Sequence, residues 1–386
     1  MSTRPLPPAL TRRGLLGAAA VGAAGALAAC GEDETPLPAN EIDAEQVPDY
    51  YPAEYADILA ASKEEGGELE VYSNTDQENW APILRDFQKK YPWVEKINAS
   101  NLDSDEVFQR ILSEQATNGS PADLVVSNAA QAWAEYAGGE GRLLAHDSPE
   151  LAHLPEFALL LPNVYAMSVD PQTIAYNTSL MPEAPTGIGH LAELVAADTG
   201  LFEDKLTSRD VGGAFGFTVS RTFTDHVPDA WEHLETLLPL ARPETSSGTQ
   251  NEKILAGEYL AGFFISAAPA NPVVANSGGL FEIVFPQDGT VLLPRGIGIA
   301  HGAPHPNTAR LFVDFLLSEE GQRAVAEGGL ASYRDSVEQV EGLHTYQEVV
   351  DAVGEDAIIF APYELVDEAE VDEFTARWNG LLEGGS

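Results

Sequence analysis

The chain is short of three things. It has one cysteine in 386 residues, so no disulfide can form within it and no cysteine-built zinc site exists. It has 20 lysines and arginines against 61 aspartates and glutamates. That imbalance excludes a nucleic-acid interface, because phosphate backbones are held by clustered positive charge. It also lacks a comfortable membrane span: the one apolar run of any length, residues 14–29, is too short and too rich in glycine. The signatures of common catalysts are missing too. There is no His-Glu-x-x-His zinc motif, no phosphate-binding P-loop and no Gly-x-Ser-x-Gly elbow. The 8 histidines make poor metal sites. His301 and His305 are four apart, but Gly302, Pro304 and Pro306 prevent a helical face, and Pro228 interrupts the stretch between His226 and His233. They are read as structural or surface residues, with no metal, no cofactor and no enzyme activity expected.

What is present starts at the N-terminus. Arg12 and Arg13 precede the apolar run, which ends in Leu27-Ala28-Ala29-Cys30. Basic residues before a short apolar segment make an export signal, and the paired arginines suit the Tat route. Leu-Ala-Ala-Cys resembles a bacterial lipobox, which implies a diacylglyceryl group with its two acyl chains on Cys30 and cleavage before it. That use also explains an unpaired cysteine in an exported chain. Removing Arg4, Arg12 and Arg13 with the signal leaves 17 basic against 61 acidic residues, a net of −44. Such a surface favours solubility, and salt screens its self-repulsion. Residues 30–66 form an acidic, proline-bearing tether, with a short helix near 52–65 joining it to the fold.

From Glu68 the pattern is α/β. Residues 68–73 form a strand that ends in the polar Asn74-Thr75-Asp76-Gln77. A helix follows, with Trp80, Ile83, Leu84 and Phe87 at helical spacing. A strand is expected over 94–99, a helix over 105–118, and a buried strand over 122–127, a continuous apolar run. Further on, 215–220 is expected as a strand, 228–240 as a helix, Ser246-Ser247-Gly248-Thr249 as a helix start, 309–317 as an amphipathic helix, and the acidic tail from Glu341 as helical. Strands alternating with helices predict a doubly wound sheet, whose ligands sit beyond the C-terminal strand ends.

A set of segments then follows in a telling order: Val71-Tyr72-Ser73, Ala122-Asp123-Leu124-Val125-Val126-Ser127, Ala175-Tyr176-Asn177-Thr178, Gly257-Glu258-Tyr259-Leu260-Ala261-Gly262, and Val284-Phe285-Pro286-Gln287-Asp288-Gly289-Thr290. Pro294-Arg295-Gly296-Ile297-Gly298-Ile299, His301-Gly302-Ala303-Pro304-His305-Pro306-Asn307 and Ala309-Arg310-Leu311-Phe312-Val313-Asp314-Phe315-Leu316-Leu317-Ser318 complete it. Over roughly residues 68–325 this order resembles ferric-iron-type extracellular solute-binding proteins of ABC importers. The resemblance implies an α/β type II periplasmic-binding-protein fold: two doubly wound, mixed-sheet lobes on a hinge, with the ligand in the cleft between them. Lobe 1 would comprise 67–174 and 288–340 and lobe 2 would comprise 175–287, with the helical segment 341–386 packed across them.

The same resemblance argues against a bare ferric ion. Where those proteins place a His, a Glu and a pair of tyrosines on iron, this chain has Asp76, Asn128 and Ala267-Ala268, and a hard trivalent cation wants anionic oxygens. The strand ends instead supply Ser73, Asn74, Thr75, Ser127 and Asn128 from one lobe. Tyr176, Asn177, Ser220, Arg221, Ser247, Thr249 and Ser266 would come from the other. Hydroxyls, a helix start and an arginine suit an anion. The expectation is therefore a monomeric lipoprotein on the outer face of the cell membrane or in the periplasm. It captures a small anionic organic solute or oxyanion by hinge closure and passes it to an ABC permease and its ATPase. A ferric or iron-chelate carrier, a receptor serving a membrane kinase, and a secreted hydrolase or lyase are the other readings.

Overall fold

The structure is a computed structural model that describes residues 47–384 apart from 118, 120 and 121. Residues 1–46, which include the expected export signal of 1–29, the expected lipid site Cys30 and most of the expected tether, lie outside the described residues. Among the described residues no helix is long and apolar enough to cross a membrane.

The chain runs through α1 (Tyr55–Lys63), β1 (Glu68–Ser73), α2 (Gln77–Lys90), β2 (Lys96–Asn101), α3 (Ser104–Ala116), β3 (Leu124–Ser127), α4 (Ala130–Gly138), β4 (Leu159–Leu161) and the long β5 (Val164–Asn177). It continues through α5 (Ile188–Ala197), α6 (Thr199–Phe202), β6 (Leu206–Arg209), α7 (Ala214–His226), α8 (Ala230–Leu237), β7 (Ala241–Glu244), α9 (Ser247–Leu255), β8 (Ala261–Ser266), α10 (Ala267–Asn276) and β9 (Phe281–Val284). It closes with β10 (Thr290–Ile299), α11 (Pro306–Leu317), α12 (Glu319–Glu327), α13 (Tyr346–Val353), β11 (Ile358–Phe360) and α14 (Glu368–Glu383).

The strands lie in the order β2-β1-β3-β10-β5-β8-β6-β7, and β5 divides it. Its first half pairs antiparallel with β10, Pro171 opposite Leu292 and Tyr165 opposite Ile297. Its second half pairs with β8 from Gln172 opposite Ser266 onward, and with β9 on its other side, Ile174 opposite Val284. One strand therefore serves two sheets and two lobes. In the first lobe β1, β2 and β3 are parallel. β3 is buried along its whole length, with helices on both sides, whereas the edge strand β2 keeps polar residues at the surface. Trp80, Ile83 and Phe87 of α2 pack against Phe312, Phe315 and Leu316 of α11 on one face, while Tyr72, Phe108, Ile111 and Trp133 fill the other. The second lobe closes over Leu191, Phe202, Leu206, Phe223, Leu234 and Phe263.

The part of the tether segment that is described is folded. Tyr55 donates to Asp314 Oδ2 at 2.9 Å, and Ser62 meets Thr308 at 2.8 Å. Glu65 accepts from the Asn307 and Thr308 backbone N–H groups at 3.0 and 2.8 Å, stabilising the start of α11.

Three sequence expectations need correction. Residues 215–220 are not a strand but lie inside α7. Phe215, Phe217 and Val219 fit a period of two, yet the core takes Phe215, Val219 and Phe223, spaced by four, and only a helix puts those on one face. The expected strand at 94–99 starts two residues later, at Lys96. The tail is not wholly helical: β11 adds a parallel strand to β10, Thr290 opposite Ile358. Its following helix, α14, sets Trp378 fully buried against the second lobe's core.

Candidate functional site

Between the lobes lies a cavity of about 440 Å³, lined from the first lobe by Asn74, Thr75, Asp76, Asp103, Asp105 and Asn128 among others, and from the second by Arg209, Gly213, Ser246, Ser247 and Ser266. That is an ordinary size for a small-molecule site. Five helices begin at it: the residues capping α2 (Asp76), α3 (Asp103), α7 (Gly213), α9 (Ser246) and α10 (Ser266) all line it. Each helix start offers backbone N–H groups without intrahelical partners and the positive end of its dipole. Convergence of several on one space favours negative charge there.

A polar chain ties the walls together. Arg295, in β10, donates from Nη1 to Asn74 Oδ1 at 2.8 Å and to Thr75 Oγ1 at 3.0 Å. Asn74 donates to Asn128 Oδ1 at 2.7 Å, and Asn128 donates to Asp170 Oδ2 at 3.1 Å. From the second lobe Ser266 donates to the Asp170 carboxylate at 2.6 Å. Asp170 lies on β5 next to the point where that strand changes sheets, so this fully buried carboxylate joins first-lobe Asn128 to second-lobe Ser266. Burial pushes its carboxyl up, while Arg295, Ser266, the Ala268 N–H and Asn128 pull it back. The guanidinium of Arg295 lies 3.5 Å from Asp170 Oδ2, and burial pushes its pKa down.

Arg209 has no such partners. It ends β6, is 8% exposed and stacks its guanidinium over Phe215 at 4.5 Å. Its Nε and Nη1 are buried without a hydrogen-bond partner. Burial lowers its pKa to about 10, against the pull of Asp170, Asp210 and Asp103. A buried cation with donors to spare is costly in isolation, and it faces the cavity.

Gly216 lets α7 start close to Arg209. An added Cβ there would sit 2.0 Å from the Asp210 carbonyl oxygen, a backbone atom that cannot swing aside. Gly216→Ala is expected to displace the β6–α7 turn, costing about 1–3 kcal/mol of stability and weakening ligand affinity with it. A urea titration and a binding isotherm on the same sample measure both.

The structure brings some of the sequence-predicted residues together and separates others. Asn74, Thr75, Asn128, Ser247 and Ser266 line the cavity. Ser73 and Ser127 sit behind it as turn formers, accepting from Thr75 N at 2.9 Å and Ala129 N at 3.1 Å. Thr249 donates its N–H to the capping Ser246. Asn177 donates to Ile254 O at 3.0 Å, and Tyr176 packs on the second lobe's core. Ser220 is buried within α7, and Arg221 lies on that helix beside Asp225 (3.4 Å), Glu364 (3.9 Å) and Glu370 (3.4 Å). The misread strand is the cause: neither residue stands at a strand end. Arg209, Arg295 and Asp170 escaped the sequence reading. A possible signal for Arg209 was its place between Leu206-Thr207-Ser208 and the turn Asp210-Val211-Gly212-Gly213, the pattern of a short strand running into a helix start.

Among the described residues no three or more His, Cys, Asp or Glu side chains are grouped so as to hold a metal ion. Asp76, Asn128 and Ala268, which stand near the positions that the resemblance assigns to iron ligands, line the cavity but include a single carboxylate.

Comparison with known proteins agrees with this geometry. The family described as bacterial extracellular solute-binding protein matches residues 83–350. Iron uptake protein A1 of Synechocystis sp. is 24% identical over 294 residues, 70% of this chain and 76% of that protein. The substrate-binding protein of an ABC transporter from Agrobacterium tumefaciens superposes with a TM-score of 0.73 at 20% identity, covering 83% of this chain and 96% of that one. The periplasmic binding protein AfuA of Actinobacillus pleuropneumoniae, with fructose-6-phosphate bound, superposes at 0.63 and 20% identity over 82% and 98%. The likeness establishes the two-lobed type II periplasmic-binding-protein fold.

Proposed function

We infer, from the premise that the chain belongs to the bacterial extracellular solute-binding proteins and from the cavity between its lobes, that it captures a small solute through an anionic group and hands it to an ABC permease. One observation carries the choice of ligand. Arg209 is buried at the cavity with unpaired donors, among helix starts that favour negative charge. An incoming carboxylate, phosphate, phosphonate or sulfonate would satisfy the guanidinium and lower its desolvation cost at once. Contacts from both lobes, Asn128 on one side and Ser247 and Arg209 on the other, would favour the closed arrangement when bound.

Arg209→Gln tests this. A charged hydrogen-bonding partner contributes roughly 1.5–3 kcal/mol, so anion affinity is expected to fall about 10- to 100-fold. The unliganded variant is expected to melt higher than the parent, because a buried unpaired charge has gone. Calorimetric titration with ethyl phosphate, ethanesulfonate and propanoate, beside a thermal melt, reads both. Unchanged affinity with Arg209→Gln removes the residue from the site. Arg221→Ala serves as the comparison and is expected to leave affinity within about twofold, an exposed ion pair contributing little.

Similarity to an iron uptake protein favours one second reading, an anionic iron chelate in the same cavity. Ferric citrate that raises the melting temperature where citrate alone does not would select it. The proposal includes the anchor: Leu27-Ala28-Ala29-Cys30 supports lipid attachment at Cys30 outside the cell membrane, and Arg12-Arg13 supports Tat export.

A further inference from the structure

The cavity is not uniformly positive. Arg295, with only its Nε unmet, already serves Asn74, Thr75 and Asp170, whereas Arg209 lines the cavity with Nε and Nη1 both unmet and, among the described residues, no carboxylate in salt-bridge contact. Against it stand four lining carboxylates: Asp76, Asp103, Asp105 and Asp210. Two of these are occupied nearby. Asp76 accepts from Asn101 Nδ2 and Asp210 from Gly212 N, each at 2.8 Å. The other two come forward on α3. Asp103 precedes the helix without capping it, so its carboxylate is not spent on its own backbone. Asp105 stands in the first turn of α3, with Ala214 of α7 lining the same cavity, and burial raises its pKa. Asp103, Asp105 and Arg209 line one and the same cavity.

A ligand with only an anionic group would satisfy Arg209 while adding to the negative surplus at α3. A ligand that also carries a cation a short distance from its anion meets both. We propose that the solute is a short zwitterion, its anionic group on Arg209 at the start of α7 and its ammonium group between Asp103 and Asp105 at the start of α3. The proposal rests on the anion reading above and specifies its chemical class. It also gives a partner to each side of one polar cavity, where Asp103 and Asp105 form no salt bridge among the described residues and the buried Arg209 keeps two donors unmet. The cation links α3 of the first lobe to the anion site of the second, so the ligand's own charges would bridge the cleft.

The test uses three matched pairs on the mature, unlipidated protein: β-alanine with propanoate, taurine with ethanesulfonate, and phosphoethanolamine with ethyl phosphate. Each pair differs by an amine. Calorimetric titration at low salt is expected to show the amine-bearing member binding on the order of tenfold tighter in at least one pair, the scale of two partly exposed ion pairs. The gap should narrow as salt rises. In the Asp103→Asn/Asp105→Asn double variant, checked for an unchanged melt, the preference is expected to vanish, and the amine-free member should bind more tightly than before. If the amine-free members bind as well as or better than their partners in wild type, the zwitterion is wrong and the anion site stands. An amine preference that persists in the double variant overturns the assignment to α3. If none of the six binds, both readings fall.

Discussion

Asp170→Asn is expected to lower the free energy of unfolding by about 3–5 kcal/mol, the cost of leaving one partner of a buried ion pair without its counter-charge. Asp170 is 0% exposed and Arg295 is 4% exposed. The amide is close in shape to the carboxylate, so packing is preserved and the change is electrostatic. Its NH2 would also have to face a donor, since Asn128 and Ser266 both donate to Asp170 and Arg295 points at it. Arg295→Met is expected to cost a similar amount for the converse reason. The double variant should recover most of the loss. Burial outweighs pairing at both groups, raising one pKa and lowering the other, and removing both charges together leaves neither one buried without its counter-charge. Urea titrations of the four proteins give the coupling energy directly. Costs that simply add would mean the two groups do not act as a pair. Ligand affinity should fall in Asp170→Asn even where the variant is folded, because Asp170 holds Asn128 and Ser266 in register across the cleft.

The second large effect lies in the tail. Trp378→Ala is expected to destabilise by about 3–5 kcal/mol. The indole is fully buried on α14, stacked on Phe374 at 5.9 Å and close to Trp231 and Phe264, each at 6.4 Å. Removing it opens a void in the second lobe's core. Phe264 is the sensitive neighbour: it has a positive φ of 56°, a conformation a bulky residue holds only when its surroundings enforce it. The denaturation midpoint should drop while the affinity of the folded protein stays near the parent value, since α14 does not line the cavity. A loss of affinity without a loss of stability would instead assign the tail to the site. The tail reaches further than one core. Tyr363, between β11 and α14, packs on the cores of both lobes, donates to Pro294 O at 2.7 Å and accepts from Gly296 N at 3.1 Å. It therefore braces the backbone on either side of Arg295.

Much of this was legible in the residues, for identifiable reasons. β3 declared itself because both its faces are buried and its apolar run is continuous, and β1 because Leu69, Val71 and Tyr72 lead directly into the polar Asn74-Thr75-Asp76-Gln77. α2 did so because Trp80, Ile83 and Phe87 keep helical spacing. The ordered segments over 68–325 carried the fold. The site was legible where it is local: Asn74-Thr75 and Asn128 sit at the ends of those readable strands. It was not legible where it depends on tertiary choice. Thr207-Ser208-Arg209 and Val219-Ser220-Arg221 look alike as text. One ends a four-residue strand at the cavity and the other lies within a thirteen-residue helix. What separates them is the continuation to Phe223 and the core that receives it, which a six-residue window does not contain. Asp170 posed a related difficulty. A lone carboxylate in an apolar strand reveals its role only through Arg295, 125 residues away. β11 was hidden because its three residues have no pattern of their own and exist as a strand only beside β10.

The place of β10 dictates an order of assembly. It is the sole link, among the described strands, between β3 and the first half of β5, yet it is made after every strand of the second lobe. The second lobe's ladder is complete once residue 284 is available, whereas Val125 must wait for Gly298, its partner far down the chain. Closing so long a loop carries an entropic cost before any contact rewards it, and slows folding. Until β10 arrives, β3 and β5 present open edges with unpaired backbone groups, templates for pairing with another chain. The hazard of aggregation during synthesis therefore falls on the lobe that begins first and finishes last.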